Sequence, residues 1–145
     1  MNWKNEAISD LTTYLRKKES LTNIRLQIQA INLQLTAVKG GMSGSDEIKG
    51  GGNHYEDRIL DSIMKRDRLK LTYSATAKIV GLIEKGLAGL DETERLVLDL
   101  FYIHRAKGNV ERLMDKLDYE KSQVYRLKDS ALYKYVIEVY GIVEY

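Results

Sequence analysis

The sequence predicts an all-α protein, a long N-terminal antiparallel helical hairpin followed by a C-terminal helix-turn-helix module. Three observations carry that expectation. Apolar residues recur at intervals of three and four along most of the chain, the spacing of one helix face. None of the 145 residues is proline, and no stretch alternates apolar and polar side chains convincingly over six positions. Six of the 11 glycines fall between positions 40 and 53, which divides the periodic sequence once, near its first third.

The first helix is read from Leu21, Ile24, Ile28, Ile31, Leu35 and Val38, a three-four rhythm suited to a seam against another helix. Upstream, Ile8, Leu11, Tyr14 and Leu15 extend this helix or form a shorter one that ends before Ser20, itself a possible cap. The segment GGMSGSDEIKGGGN, residues 40–53, reads as a linker, because glycine has the most backbone entropy to lose on ordering. It lacks the spacing of a phosphate-cradling loop and follows a helix rather than a strand. A second helix is expected from Tyr55 to Lys85, with an apolar stripe of Ile59, Leu60, Ile63, Met64, Leu71, Ala75, Ile79, Leu82 and Ile83. The glycines at 86 and 89 end it. A hairpin of this kind buries too little alone, so residues 1–86 are expected to pack on the C-terminal module and to self-associate.

Residues 90–145 form the second expected domain. Asp91 and Glu94 have capping-box spacing, and Leu96, Val97, Leu100 and Phe101 make one face of the next helix. Lys107-Gly108-Asn109 closes it, and Asn109 is placed to cap a two-turn helix carrying Val110, Leu113, Met114 and Leu117. After a corner at Asp118-Tyr119-Glu120, Val124, Leu127 and Ala131 mark the buried side of a further helix.

A two-turn helix, a short corner and a second amphipathic helix have the lengths of a helix-turn-helix, whose second helix enters the DNA major groove. At 100° per residue, Ser122, Tyr125, Arg126, Asp129 and Tyr133 lie opposite the buried side. The expected base-reading residues are Lys121, Ser122, Gln123, Tyr125 and Arg126. Arg126 has the fork for guanine and Gln123 the amide for adenine. Phosphate contacts are assigned to Arg105, Lys107, Arg112, Lys116 and Lys128. Net charge is only +2, and residues 91–145 carry nine basic against 11 acidic side chains, yet Arg105–Lys128 holds seven against four. Glu120 and Asp129 oppose that local field.

The stretch Leu90-Asp91-Glu92-Thr93-Glu94-Arg95-Leu96-Val97-Leu98-Asp99-Leu100-Phe101-Tyr102, with its continuation from Val110 to Arg126, resembles sigma factor region 4-type helix-turn-helix domains. Within that type, the chain resembles the small ArpU/RinA-like phage transcriptional regulators of Gram-positive hosts. The resemblance covers residues 90–135. It implies double-stranded DNA as partner, transcription regulation as function and a possible contact with RNA polymerase. Two departures stand out: Asp118 occupies a corner position where the family has glycine, and Glu120 a position where it has a small hydroxyl residue.

Other classes fare less well. Cysteine is absent, the two histidines are 50 residues apart, and no carboxylate pair has catalytic spacing, so no enzyme, metal or cofactor is expected. Glu92 and Glu94 suit a helix N-terminus. Trp3, Tyr133, Tyr135, Tyr140 and Tyr145 are read as packing residues, the tyrosines with hydroxyls in water. No apolar run approaches the roughly 20 residues of a membrane span, and a cytoplasmic location in a bacterial host is expected. A dimer fits a regulator. A phage DNA-packaging component (small terminase-like) would form a larger ring, and a helical adaptor would ignore DNA.

Overall fold

The computed structural model describes residues 2–41 and 52–141, and among these every element is helical. In order they are α1 (Trp3–Gly41), α2 (Gly52–Ala88), α3 (Glu92–Leu98), a π-helical turn (Asp99–Ile103), α4 (Asn109–Leu117) and α5 (Lys121–Tyr140). Helix α1 is unbroken at Ser20, and α5 is one helix to Tyr140. The central part of the expected linker, 42–51, lies outside the described residues, while Gly40, Gly41, Gly52 and Asn53 belong to the flanking helices. No described helix is long and apolar enough to cross a membrane.

Contacts group the chain into two units, 1–17 with 78–145, and 18–77. This grouping differs from the expected division into 1–86 and 90–145. The ends of both long helices go with the C-terminal module because their buried side chains face it. Leu11 and Ile83 are fully buried, Asp10 accepts from the Tyr140 hydroxyl and, at 3.4 Å, from that of Tyr135, and Trp3 packs against Tyr140 with the rings tilted by 39° and centroids 4.8 Å apart. The Tyr135 hydroxyl is therefore not in water as expected. Burial, then the Asp10 carboxylate, holds the pKa of both tyrosines well above the ordinary value. Tyr145 lies outside the described residues.

Residues 18–77 form an antiparallel helix pair. Ile24 and Ile31 are buried and Ile28, Leu35 and Val38 half-buried, which is the rhythm expected of α1. Leu35 and Val38 lie with Ile59 and Ile63, and nearer the centre Arg66 Nη1 donates to Asn32 Oδ1 at 3.2 Å. The stripe read along α2 resolves into two faces. Ile59 and Ile63 turn inward, whereas Leu60, Met64 and Leu71 are each more than half exposed.

Candidate nucleic-acid interface

The C-terminal helices are positioned by a small core. Val97 of α3, Leu113 of α4 and Val124 of α5 are fully buried, with Leu96, Leu100, Phe101, Val110, Met114, Leu117 and Leu127 packed around them. The N-terminus of α3 carries the capping box as expected: Glu94 N–H donates to Asp91 Oδ1 at 2.8 Å, and Asp91 N–H to Glu94 Oε1 at 3.0 Å. Glu94, only 5% exposed, is also paired with Lys134 at 2.7 Å.

The expected break after α3 is gentler than a loop. Its last turn widens into the π-helical segment, closed by His104 N–H donating to Asp99 O at 2.7 Å. Asn109 does not cap α4 with its side chain; Gly108, at φ +83°, is the cap residue. Asn109 is instead buried, and its Nδ2 donates to Leu100 O (2.8 Å) and His104 O (3.0 Å), main-chain acceptors at the frayed end of the preceding turn. It thereby locks α4 to the π-helical segment. Nothing in the local sequence distinguished this role from capping, because the acceptors exist only once the wide turn has formed.

The corner between α4 and α5 forms as a left-handed C-cap at Asp118 (φ 55°, ψ 46°), with Tyr119 N–H donating to Met114 O at 3.1 Å. Asp118 is the only described non-glycine residue with positive φ. That conformation favours glycine, and aspartate is among the few other residues that adopt it. Asp118→Gly is expected to stabilise the fold by about 0.5 kcal/mol, relief of the strained backbone being partly offset by greater freedom of the unfolded chain. A denaturant midpoint that falls would show that the aspartate side chain does more than tolerate the angle.

Helix α5 then starts at Lys121, and its two faces divide as expected. Val124 and Ala131 are wholly buried, while Ser122, Arg126, Asp129 and Tyr133 are exposed. Lys121, Arg105, Lys107, Arg112 and Lys116 are exposed as well. Arg112 Nη1 makes a long 3.4 Å bond to Asn109 Oδ1. Lys121, Arg105, Tyr102 and Tyr125 share a cleft of about 350 Å³ between the first turn of α5 and the loop before α4.

Three of the expected contact residues are otherwise engaged. Gln123 Oε1 accepts from the Glu120 N–H at 2.8 Å, so the amide expected to read adenine closes the start of α5 instead. That bond is half of a capping box between Glu120 and Gln123 at the start of α5. Tyr125, 40% exposed, sets its ring edge-on to Phe101 at 5.7 Å. Lys128 is not a free phosphate ligand: its side chain is only 16% exposed, its Nζ lies 2.9 Å from Asp129 Oδ1, and it sits 5.7 Å from the Phe101 and Tyr125 ring centres. Burial disfavours the ammonium, but the Asp129 hydrogen bond and the neighbouring tyrosine hydroxyls hold its pKa above the ordinary lysine value. Burial also raises the Tyr102 pKa. Asp129 lies 3.9 Å from Lys4 as well, so the carboxylate expected to repel phosphate has two cations beside it.

The arrangement is a helix-turn-helix with a cationic, hydroxyl-bearing first turn on its second helix. Comparison with family models, with curated proteins and with solved structures finds no match.

Proposed function

We propose that this chain is a sequence-specific DNA-binding transcriptional regulator, of the kind encoded by phages, that inserts the start of α5 into the major groove and self-associates through its hairpin. The observation that carries this reading is the division of α5. Ser122 and Arg126 stand free on its first two turns, while Val124 and Ala131, on the opposite side, are fully buried against the module. A helix braced in this way projects a short run of side chains beyond its support, which is what groove reading requires. Arg126 is exposed and, among the described residues, makes no ion pair, so its guanidinium is available for the bidentate guanine contact. Lys121 and Ser122 add donors beside it. Arg105, Lys107, Arg112 and Lys116 supply the phosphate contacts that fix orientation. A dimer presents two such helices to half-sites about 34 Å apart.

Selection of bound duplexes from a random pool, followed by anisotropy titrations at several salt concentrations, tests the reading. Arg126→Ala is expected to lose about 1–3 kcal/mol of preference for the selected site over random duplex. Lys107→Ala is expected to weaken both equally and to reduce the salt slope by about one. Recovery of no motif, with affinity equally weak for all duplexes, would sink the regulator reading.

A further inference from the structure

The outer face of α1 in residues 18–41 carries a second seam that the hairpin does not use. Leu26, Ala30, Leu33 and Ala37 repeat at intervals of four, three and four. All four are exposed, Leu26 by 54% and Leu33 by 71%. At 100° per residue they fall within 60° of one another, on the opposite side of α1 from Ile24, Ile31 and Leu35. The thirteen residues from Leu26 to Val38 include no charged side chain, in a protein in which 30% of residues are charged. Depletion of charge marks the centre of protein interfaces, and a solvated helix face has no reason to show it. The outer face of α2 makes the contrast. Its Leu60, Met64 and Leu71 are also exposed, but Asp61, Lys65, Asp67, Arg68 and Lys70 are interspersed with them.

The order of large and small residues in the α1 seam says what covers it. A two-fold axis placed between Ile31 and Asn32 sets Leu26 against the partner's Ala37 and Ala30 against the partner's Leu33. Both halves of the contact then pair a large side chain with a small one, as knobs entering holes require. A surface that is its own complement under a two-fold rotation is the requirement of an isologous dimer. We propose that α1 pairs antiparallel with α1 of a second copy through Leu26, Ala30, Leu33 and Ala37. This deepens the self-association in the reading above and does not depend on DNA binding. The seam is about 17 Å long at 1.5 Å per residue and about 10 Å wide, one helix diameter. It covers on the order of 170 Å² per partner, well short of the roughly 800 Å² of a standard interface. Association is therefore concentration-dependent and strengthened by a duplex carrying two half-sites.

Sedimentation equilibrium of the full chain from about 1 to 200 μM tests the seam. The average mass is expected to rise from one chain to two over that range. Leu33→Lys, at a position too exposed to affect folding, is expected to hold it at one chain with unchanged helical circular dichroism. Ala30→Leu alone sets leucine against leucine and should weaken pairing about tenfold or more. Adding Leu33→Ala to it restores large against small and should restore the dimer. A wild-type chain that stays monomeric, an assembly that Leu33→Lys leaves intact, or a double variant no better than Ala30→Leu would overturn the proposal. Leu33→Lys should still bind a half-site duplex like the wild-type monomer. Failure of that measurement while the wild type dimerises counts against DNA recognition, and leaves the seam standing.

Discussion

Replacing Leu113 by alanine is expected to lower the stability of the C-terminal helices by about 3 kcal/mol. Leu113 is fully buried and is the one contribution of α4 to the triad it forms with Val97 and Val124. Helix α4 has nine residues, too few to persist without tertiary contacts. The module has little slack to close a cavity, since its Asp118 corner and the Asn109 hydrogen bonds fix both ends of α4. Part of the cost is the lost transfer of apolar surface, and part the void left behind. Urea unfolding followed by circular dichroism checks it: the midpoint should fall with little change in slope. A loss under 1 kcal/mol would mean that α4 collapses onto α5 without Leu113, and that α5 is braced more loosely than the packing implies. Met114, only partly buried beside it, should tolerate leucine at less than about 1.5 kcal/mol.

What the sequence made legible depended on how local each cause was. The inward seam of α1, the Asp91–Glu94 box and the exposed position of Arg126 all follow from periodicities within a single helix, so they could be read directly. Helix α2 was harder, because apolar residues on two faces merged into one broad stripe. Only the pairing of Asn32 with Arg66, and of Leu35 and Val38 with Ile59, shows which face is inward. The outer seam of α1 is faint in the sequence for a related reason: two of its four members are alanines, which register weakly as apolar. Within the candidate interface, charge and helical angle gave the exposed positions of Lys121, Ser122 and Arg126, but not the enclosure of Lys128. Its ammonium is held by Asp129 one residue on and by Phe101, a ring brought alongside by the π-helical turn. The role of Asn109 is not legible locally because its acceptors lie five and nine residues upstream. Side chains whose partners come from another element are the ones a periodicity cannot place.

Gly86 shows the same limit in the backbone, and it gives a prediction whose sign depends on the fold. As a helix residue, glycine costs roughly 0.5–1 kcal/mol relative to alanine, so Gly→Ala within α2 should stabilise. Gly81 should behave that way: a Cβ there meets nothing within 4 Å. At Gly86, read from the sequence as a helix terminator, α2 continues to Ala88. A Cβ at this position would lie 2.4 Å from Val139 Cγ2 and 2.8 Å from Tyr135 Cε2. Tyr135 is fully buried and tied to Asp10, so neither its ring nor α5 can step aside cheaply. Gly81→Ala is therefore expected to raise stability by about 0.5–1 kcal/mol. Gly86→Ala should lower it by about 1–2 kcal/mol after the propensity gain is offset, and Gly86→Val by about 3 kcal/mol. Paired urea titrations of the three variants decide the matter. Equal stabilisation by alanine at both sites would mean that α2 and α5 do not approach at Gly86, and that glycine there serves only to weaken the helix end.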